Sequence, residues 1–258
     1  MPNYFKQFPT VEYMGRTVTD ITKRSKILQS LSLDPYAFLP YTIHDDMRPE
    51  DVAYFYYGDV DKVWMVFLAN NIIDPYTQWP LPGPQLDATI RAKYARVLTP
   101  DSRSGNILKI SNHGMKITDP LIYESLTPIG GLTSGATYYV IPTDQNHLAL
   151  ASSAANVIAN TRLTLTSFPT GTHTLTRDLD QFLLSTNLRC NVVYCIRADG
   201  IKISYDTFTS TIIEVGDYSP VFIYDWEVEQ NESKRTIWLI NAAYANQMQA
   251  DLKKVMNV

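Results

Sequence analysis

A chain of 258 residues is long enough for two ordinary domains or one large one. Its 45% apolar and 19% charged residues can bury a core, and a formal charge of −4 without any run of Lys or Arg argues against a nucleic-acid or membrane-surface binder. No apolar run reaches the 18 residues of a membrane-spanning helix, and the start MPNYFKQFPTVEYMG lacks a charged-then-apolar leader pattern.

In chain order, residues 1–40 read as an N-terminal extended arm that orders on assembly. YTI (41–43) reads as a short strand. Pro49 then starts a helix, with Glu50 and Asp51 in the first turn where the helix dipole favours acids. Gly58 stops it as a left-handed cap, and Asp59 caps the next helix. There Val60, Val63, Trp64, Phe67 and Leu68 follow the i, i+3, i+4, i+7, i+8 spacing of a buried stripe. Asn70 or Asn71 ends that helix, since Asn tolerates the left-handed conformation. A third helix places Leu86, Ile90 and Tyr94 on one face.

The first helix is apolar nearly all round. Val52, Ala53 and Tyr56 form its core stripe, and Tyr54, Phe55 and Tyr57 lie on its other sides. Such a helix is buried on more than one side, by its own chain or by a partner. Seventeen Tyr against nine Phe fits many half-buried rings with a polar tip, the kind enriched where protein surfaces meet.

From about 95 to 178 the chain becomes rich in Thr, Ser and Gly. NILKIS, GMKIT, ATYYVIPT, HLALAS, RLTLTS and THTLT alternate with period 2 between turn residues, which predicts an inserted all-β domain, a small sandwich or barrel. From 179 to 258, RCNVVYCIRA, GIKISYD, STIIEV and VFIYDWEVE read as strands, with Asp199-Gly200 as a hairpin turn. NESKR (231–235) reads as a polar turn before the strand TIWLI. Asn241 then caps a closing helix with Tyr244, Met248, Leu252 and Val255 along one side and Lys253 and Lys254 in its last turn. This β-rich C-terminal part is expected to pack with the 41–94 core.

Nothing assembles a reactive centre. Cys190 and Cys195 fall on opposite faces of one pleat, at a spacing that suits neither a disulfide nor a metal or redox motif, so both are expected as reduced, buried thiols. Gly130-Gly131 stands between β runs and not at a strand-to-helix phosphate loop. His44, His113, His147 and His173 are scattered and read as surface or structural residues. Asp45-Asp46 and Glu50-Asp51 are the acid pairs to weigh for glycosidase-type chemistry. The second is explained by the helix start, and the first lies in a loop without an apolar shell. No nucleophile elbow is present. The reading is a non-enzyme without catalytic, metal-ligating or cofactor-binding residues.

The stretch YTIHDDMRPEDVAYFYYGDVDKVWMVFLANNIIDPYTQWPLP resembles the LysM pattern. That resemblance implies a βααβ core at 41–94, in which the prolines after Asn70 turn the chain into a second strand. It also implies a groove of the kind that holds N-acetylglucosamine chains, with Asp45, Asp46, Asn71 and Tyr76 as glycan-binding candidates. A narrower resemblance is to the baseplate wedge proteins of contractile-tailed bacteriophages. Arg48-Pro49-Glu50, Tyr57-Gly58, Trp64, Asp74-Pro75-Tyr76 and Trp79 carry it, together with the initial NYFKQFPTVEYMGRTVTDITKR and the terminal NESKRTIWLINAAYANQMQADLKKVM.

The wedge resemblance implies a structural protein of the tail baseplate, assembled in the host cytoplasm, that joins neighbouring wedges through protein interfaces. Its implied partners are other wedge proteins, with sheath-initiating or hub-proximal subunits as further ones. Tyr54, Phe55, Tyr57, Tyr76 and Trp79 are then the interface candidates. The alternative function is peptidoglycan or N-acetylglucosamine binding. The fold class expected is α+β, a LysM-like core with a strand-rich C-terminal part and closing helix, interrupted by the β domain at 95–178.

Overall fold

The computed structural model describes residues 8–20, 36–44, 46–186, 188–204 and 218–256, with side chains described through Ala250. The chain divides into two compact units, one of residues 1–83 with 230–258 and one of residues 84–229. The first is built from two separate stretches of chain, the second from the continuous stretch between them. Both mix helices with antiparallel strands.

In the first unit, strands β1 (Thr10–Tyr13) and β2 (Arg16–Thr19) form a hairpin. Strand β3 (Phe38–Thr42) leads to helix α1 (Pro49–Tyr57), a 3-10 turn (Val60–Lys62) and helix α2 (Val63–Ala69). Helix α1 begins and ends as its residues dictate. Arg48 N–H donates to the Asp51 carboxylate at 2.9 Å, and Gly58 N–H donates to Tyr54 O at 2.9 Å from a left-handed cap with φ 69°.

Helix α2 departs from the expected stripe. Asp59 caps the 3-10 turn instead of an α-helix, which shifts the phase and leaves Val60 exposed. Trp64, Met65 and Val66 are buried together, because α2 lies between two clusters. Trp64 and Met65 pack with Phe8, Ile240 and Ala245, and Val66 packs with Ile43, Val52, Ala53, Ile237 and Leu239.

The strand expected after the prolines does not form there. Residues 75–78 are instead a short helix, α3 (Pro75–Gln78), capped by Asp74. The strand that pairs with β3 is Thr236–Ile240, far along the chain, in antiparallel register from Thr236↔Thr42 to Ile240↔Phe38. A closing helix, Ala242–Met256, follows, with Asn241 Oδ1 accepting from Ala243 N at 3.1 Å and with Tyr244 and Met248 against the Trp64 cluster. The expected packing of Leu252 and Val255, and the side chains of Lys253 and Lys254, lie outside the described residues.

The second unit opens with helix α4 (Gly83–Tyr94), whose Ile90 is buried with Leu86 and Tyr94 beside it, as their spacing predicts. Seven antiparallel strands follow in one sheet: β4 (Val97–Leu98), β5 (Ser102–Ser104), β6 (Ile107–Lys109), β7 (Pro120–Ser125), β8 (Thr137–Asp144), β9 (His147–Ala151) and β10 (His173–Arg177). Their order across the sheet is β4-β10-β7-β8-β9-β6-β5. Alternation sorts the faces: Tyr138, Val140, Leu148 and Leu150 point into one cluster, and Ile141, Ala149 and Ala151 point into another, against helix α5 (Ala154–Ile158).

Two expected strands of this region are irregular. GMKIT gives way to turns held by side chains, where Met115 N donates to His113 Nδ1 at 3.0 Å and Thr118 adopts φ 68°. RLTLTS is held by Arg103 and Asn106 instead of a full ladder, with Arg103 donating to Leu165 O and Thr166 O at 2.8 and 2.6 Å. The segment crosses Gly130-Gly131, where a Cβ on Gly131 would meet the Thr164 carbonyl, so only glycine fits that crossing.

Residues 179–229 cluster with 84–178, whereas the expectation put them with the N-terminal core. The reason is a shared cluster: Phe182 and Leu183 of α6 (Leu179–Leu184) bury with Ile90, Leu188, Cys190 and Ile223. Beyond it lies a three-stranded sheet, β12 (Lys202–Ser204), β11 (Val192–Arg197) and β13 (Tyr218–Phe222). The expected strand STIIEV lies outside the described residues. VFIYDWEVE is a strand only to Phe222, after which helix α7 (Ile223–Ser233) takes over most of the expected NESKR turn. The final strand is therefore β14 (Thr236–Ile240) and the closing helix α8 (Ala242–Met256).

Candidate interaction surface

The surface candidates of the first unit rest on a scaffold tied together by asparagines. Bonds from Ile43 N to Arg235 O (2.9 Å) and from Asn241 N to Ala37 O (2.8 Å) set the parity of the β3–β14 ladder. Trp238 and Ile240 consequently turn their main-chain groups to the outer edge of β14. Side chains seal that edge. Asn70 Oδ1 accepts from Trp238 N at 2.7 Å, Asn70 Nδ2 donates to Trp238 O at 2.8 Å, and Tyr57 Oη donates to Ile240 O at 3.0 Å.

The same device recurs in the proline-rich turn. Asn231, buried on α7, accepts from Leu81 N at 2.8 Å and donates to Leu81 O at 3.0 Å. Gln78 Oε1 accepts from Ile73 N and Asp74 N, and Lys234 Nζ donates to Thr77 O at 2.8 Å. An amide side chain carries both N–H donors and a C=O acceptor, as a strand neighbour does, so it substitutes for a missing strand. Sequence reasoning placed Asn70 only as a helix stop and Asn231 only in a polar turn. The double Asn next to a helix end was the one available signal.

On this scaffold the five aromatic candidates part company. Tyr54 and Phe55 are 57% and 73% exposed, their rings edge-to-face with centroids 5.9 Å apart on the outer side of α1. Tyr76 is 89% exposed at the tip of α3, beside exposed Ile73. Tyr57 is half-buried between two clusters, and desolvation pushes its hydroxyl pKa well above the ordinary range. Trp79 is a correction: it is 7% exposed, packs with Val52, Val66 and Leu239, and donates its indole N–H to Met47 O at 2.9 Å. With both its ring and its polar tip satisfied inside the unit, Trp79 belongs to the core.

The glycan candidates are also distributed. Asp46 and Asn71 are exposed, each in the left-handed region with φ 63° and 53°. Asp45 lies outside the described residues.

The histidines and cysteines of the second unit hold structure. His113 and His173 are buried, each bonded at both ring nitrogens, His173 between Tyr123 Oη (2.9 Å) and Pro169 O (2.9 Å). His147 faces Asp144 on an exposed turn. Cys190 and Cys195 are free and buried, and burial first, then the nearby Asp119 charge, raises the Cys190 thiol pKa. Asp119 is itself paired with the buried Arg177 at 2.9 Å. Among the described residues no group of three or more His, Cys, Asp or Glu is placed to hold a metal ion, and no helix is long and apolar enough to cross a membrane.

Two comparisons with known proteins bear on this surface. Residues 3–102 match the family described as base plate wedge protein 53. The baseplate wedge protein gp53 of Enterobacteria phage T4 is 31% identical over 84 residues, which take in 29% of this chain and 43% of that protein. The chain thus covers less than half the length of this curated relative. The matched stretch contains the hairpin, α1, α2 and the proline-rich turn, and excludes β14 and α8.

Proposed function

We propose that this chain is a structural subunit of a phage tail baseplate wedge and joins neighbouring wedge proteins through aromatic surface on its first unit. The match of residues 3–102 to the base plate wedge protein 53 family carries the reading. The geometry supports it in one respect. Tyr54 and Phe55 stand on a helix whose other side is locked by Val52 and Ala53, so the backbone that carries the two rings is fixed before any partner arrives. Rigid, exposed aromatic pairs lose little side-chain freedom on docking and serve as interface anchors. Its place is then the virion tail baseplate.

A finer reading follows. The unit formed by β3, α1, α2 and β14 is a LysM-like βααβ core whose second strand arrives after an insertion of about half the chain. The β-rich segment 95–178 lies within that insertion and is available for contact with another baseplate protein or the host envelope.

The test is reconstitution of the purified chain with the wedge proteins of the same phage. Tyr54→Ala with Phe55→Ala is expected to weaken joining about tenfold or more, the scale of losing two anchor residues, while the thermal midpoint stays within the error of the measurement. Unchanged joining would count against these anchors, and a wild-type chain that joins no wedge protein would overturn the reading.

A further inference from the structure

The hairpin of β1 and β2 packs on none of the described clusters, and every one of its eight strand residues is exposed. Its turn, Met14-Gly15, has φ 51° and 72°, the geometry of a two-residue connection whose twist matches the strands. Asp20 N donates to Pro9 O at 2.8 Å, which makes Val11↔Val18 and Tyr13↔Arg16 the hydrogen-bonded pairs on one face. Thr10, Glu12, Thr17 and Thr19 share the other face. The ribbon is therefore amphipathic, with Val11, Tyr13 and Val18 at 46%, 62% and 39% exposure on its apolar side. A two-stranded ribbon with neither face covered is marginal in water, and sorting its residues by face is of use only if something covers one of them.

The residues narrow what that cover is. One Glu12 and one Arg16 cancel, so neither a phosphate backbone nor an anionic membrane is drawn to it. A second copy paired edge to edge would widen the apolar face and leave it open. A second copy stacked face to face would bury only three side chains per chain, on the order of 200–300 Å², far short of the roughly 800 Å² per partner of a stable interface. The fitting occupant is a larger apolar protein surface to which the hairpin is one contribution among several.

We propose that the β1–β2 hairpin is a docking arm that lays its Val11–Tyr13–Val18 face on the apolar surface of a different wedge subunit. This rests on the wedge reading above. The experiment adds Val11→Lys with Val18→Lys to the same reconstitution, alongside the Tyr54 and Phe55 double variant. The lysine variant is expected to join at least about tenfold more weakly, with an unchanged thermal midpoint, and amides 10–19 of the wild type should exchange rapidly alone and slowly in the wedge. Wild-type joining by the lysine variant overturns the arm, and leaves the wedge reading standing if the aromatic variant is weakened. A lowered melting midpoint overturns it as well, since the hairpin would then be covered by its own chain. A dimer of the isolated chain that the lysines dissolve would assign the face to a second copy, and failure of the wild type to join would remove both readings.

Discussion

Asn231 shows how much one side chain can hold. It is 2% exposed and supplies both a donor and an acceptor to Leu81, so it ties the proline-rich turn to α7. Asn231→Ala leaves the Leu81 N–H and C=O without partners in a poorly hydrated place, and should lower stability by about 2 kcal/mol in a urea titration. Asn231→Asp retains the acceptor but loses the donor and sets a buried carboxylate against the Leu81 carbonyl, and should cost at least as much. The same scale explains which candidate residues were legible. Tyr54, Phe55 and Tyr76 stand out as rings left over from a helical stripe or a turn, and they are exposed. Trp79 carries the same local signature, yet its indole reaches Met47, 32 residues earlier, and no local pattern contains that contact.

At the scale of elements, legibility follows the range of the interactions that define each one. Helix α1 is written in adjacent residues, an acid-rich start after Pro49 and a glycine stop, and its bounds agree with the expectation. The turn from strand to helix at Phe222 is not written locally, since VFIYDWEVE alternates well enough to pass for a strand and its helical half is decided by packing. Strand β14 is legible as a strand, but its neighbours are not: β3 on one side and the amide of Asn70 on the other, 168 residues away. Asn70→Ala removes that edge cover. Because Trp238 is half-exposed, water can replace part of the loss, and the expected cost is about 1 kcal/mol, smaller than for Asn231. Faster exchange of the Trp238 amide would locate the effect, and an unaltered rate would show that the side chain does not seal the edge.

For the molecule as a whole, composition and alternation correctly indicate an α+β protein with a β-rich middle, but they put the boundaries where composition changes, at 94 and 178. The division observed falls at 83 and 229, because α4, α6 and β11 share a core with the region between. Residues 84–229, expressed alone, are accordingly expected to fold cooperatively with a single melting transition, whereas residues 95–178 alone would lose Ile90, Phe182 and Leu183 from one core and expose it. A fragment 84–229 that remains unfolded would show that the second unit depends on the first.

The pairing of β3 with β14 also sets a timetable. During synthesis at about 5–20 residues per second, Phe38–Thr42 leaves the ribosome some 200 residues before its partner Thr236–Ile240, a wait of roughly 10–40 seconds. Through that interval Leu239 and Ile237 are not there to complete the cluster around Val52 and Val66, while the described strands of the continuous stretch 84–229 all emerge before β14 does. The cluster beneath the helix that carries Tyr54 and Phe55 is thus completed last, after the bulk of the polypeptide has been made. A chain that completes this face only once translation is nearly finished does not present it half made.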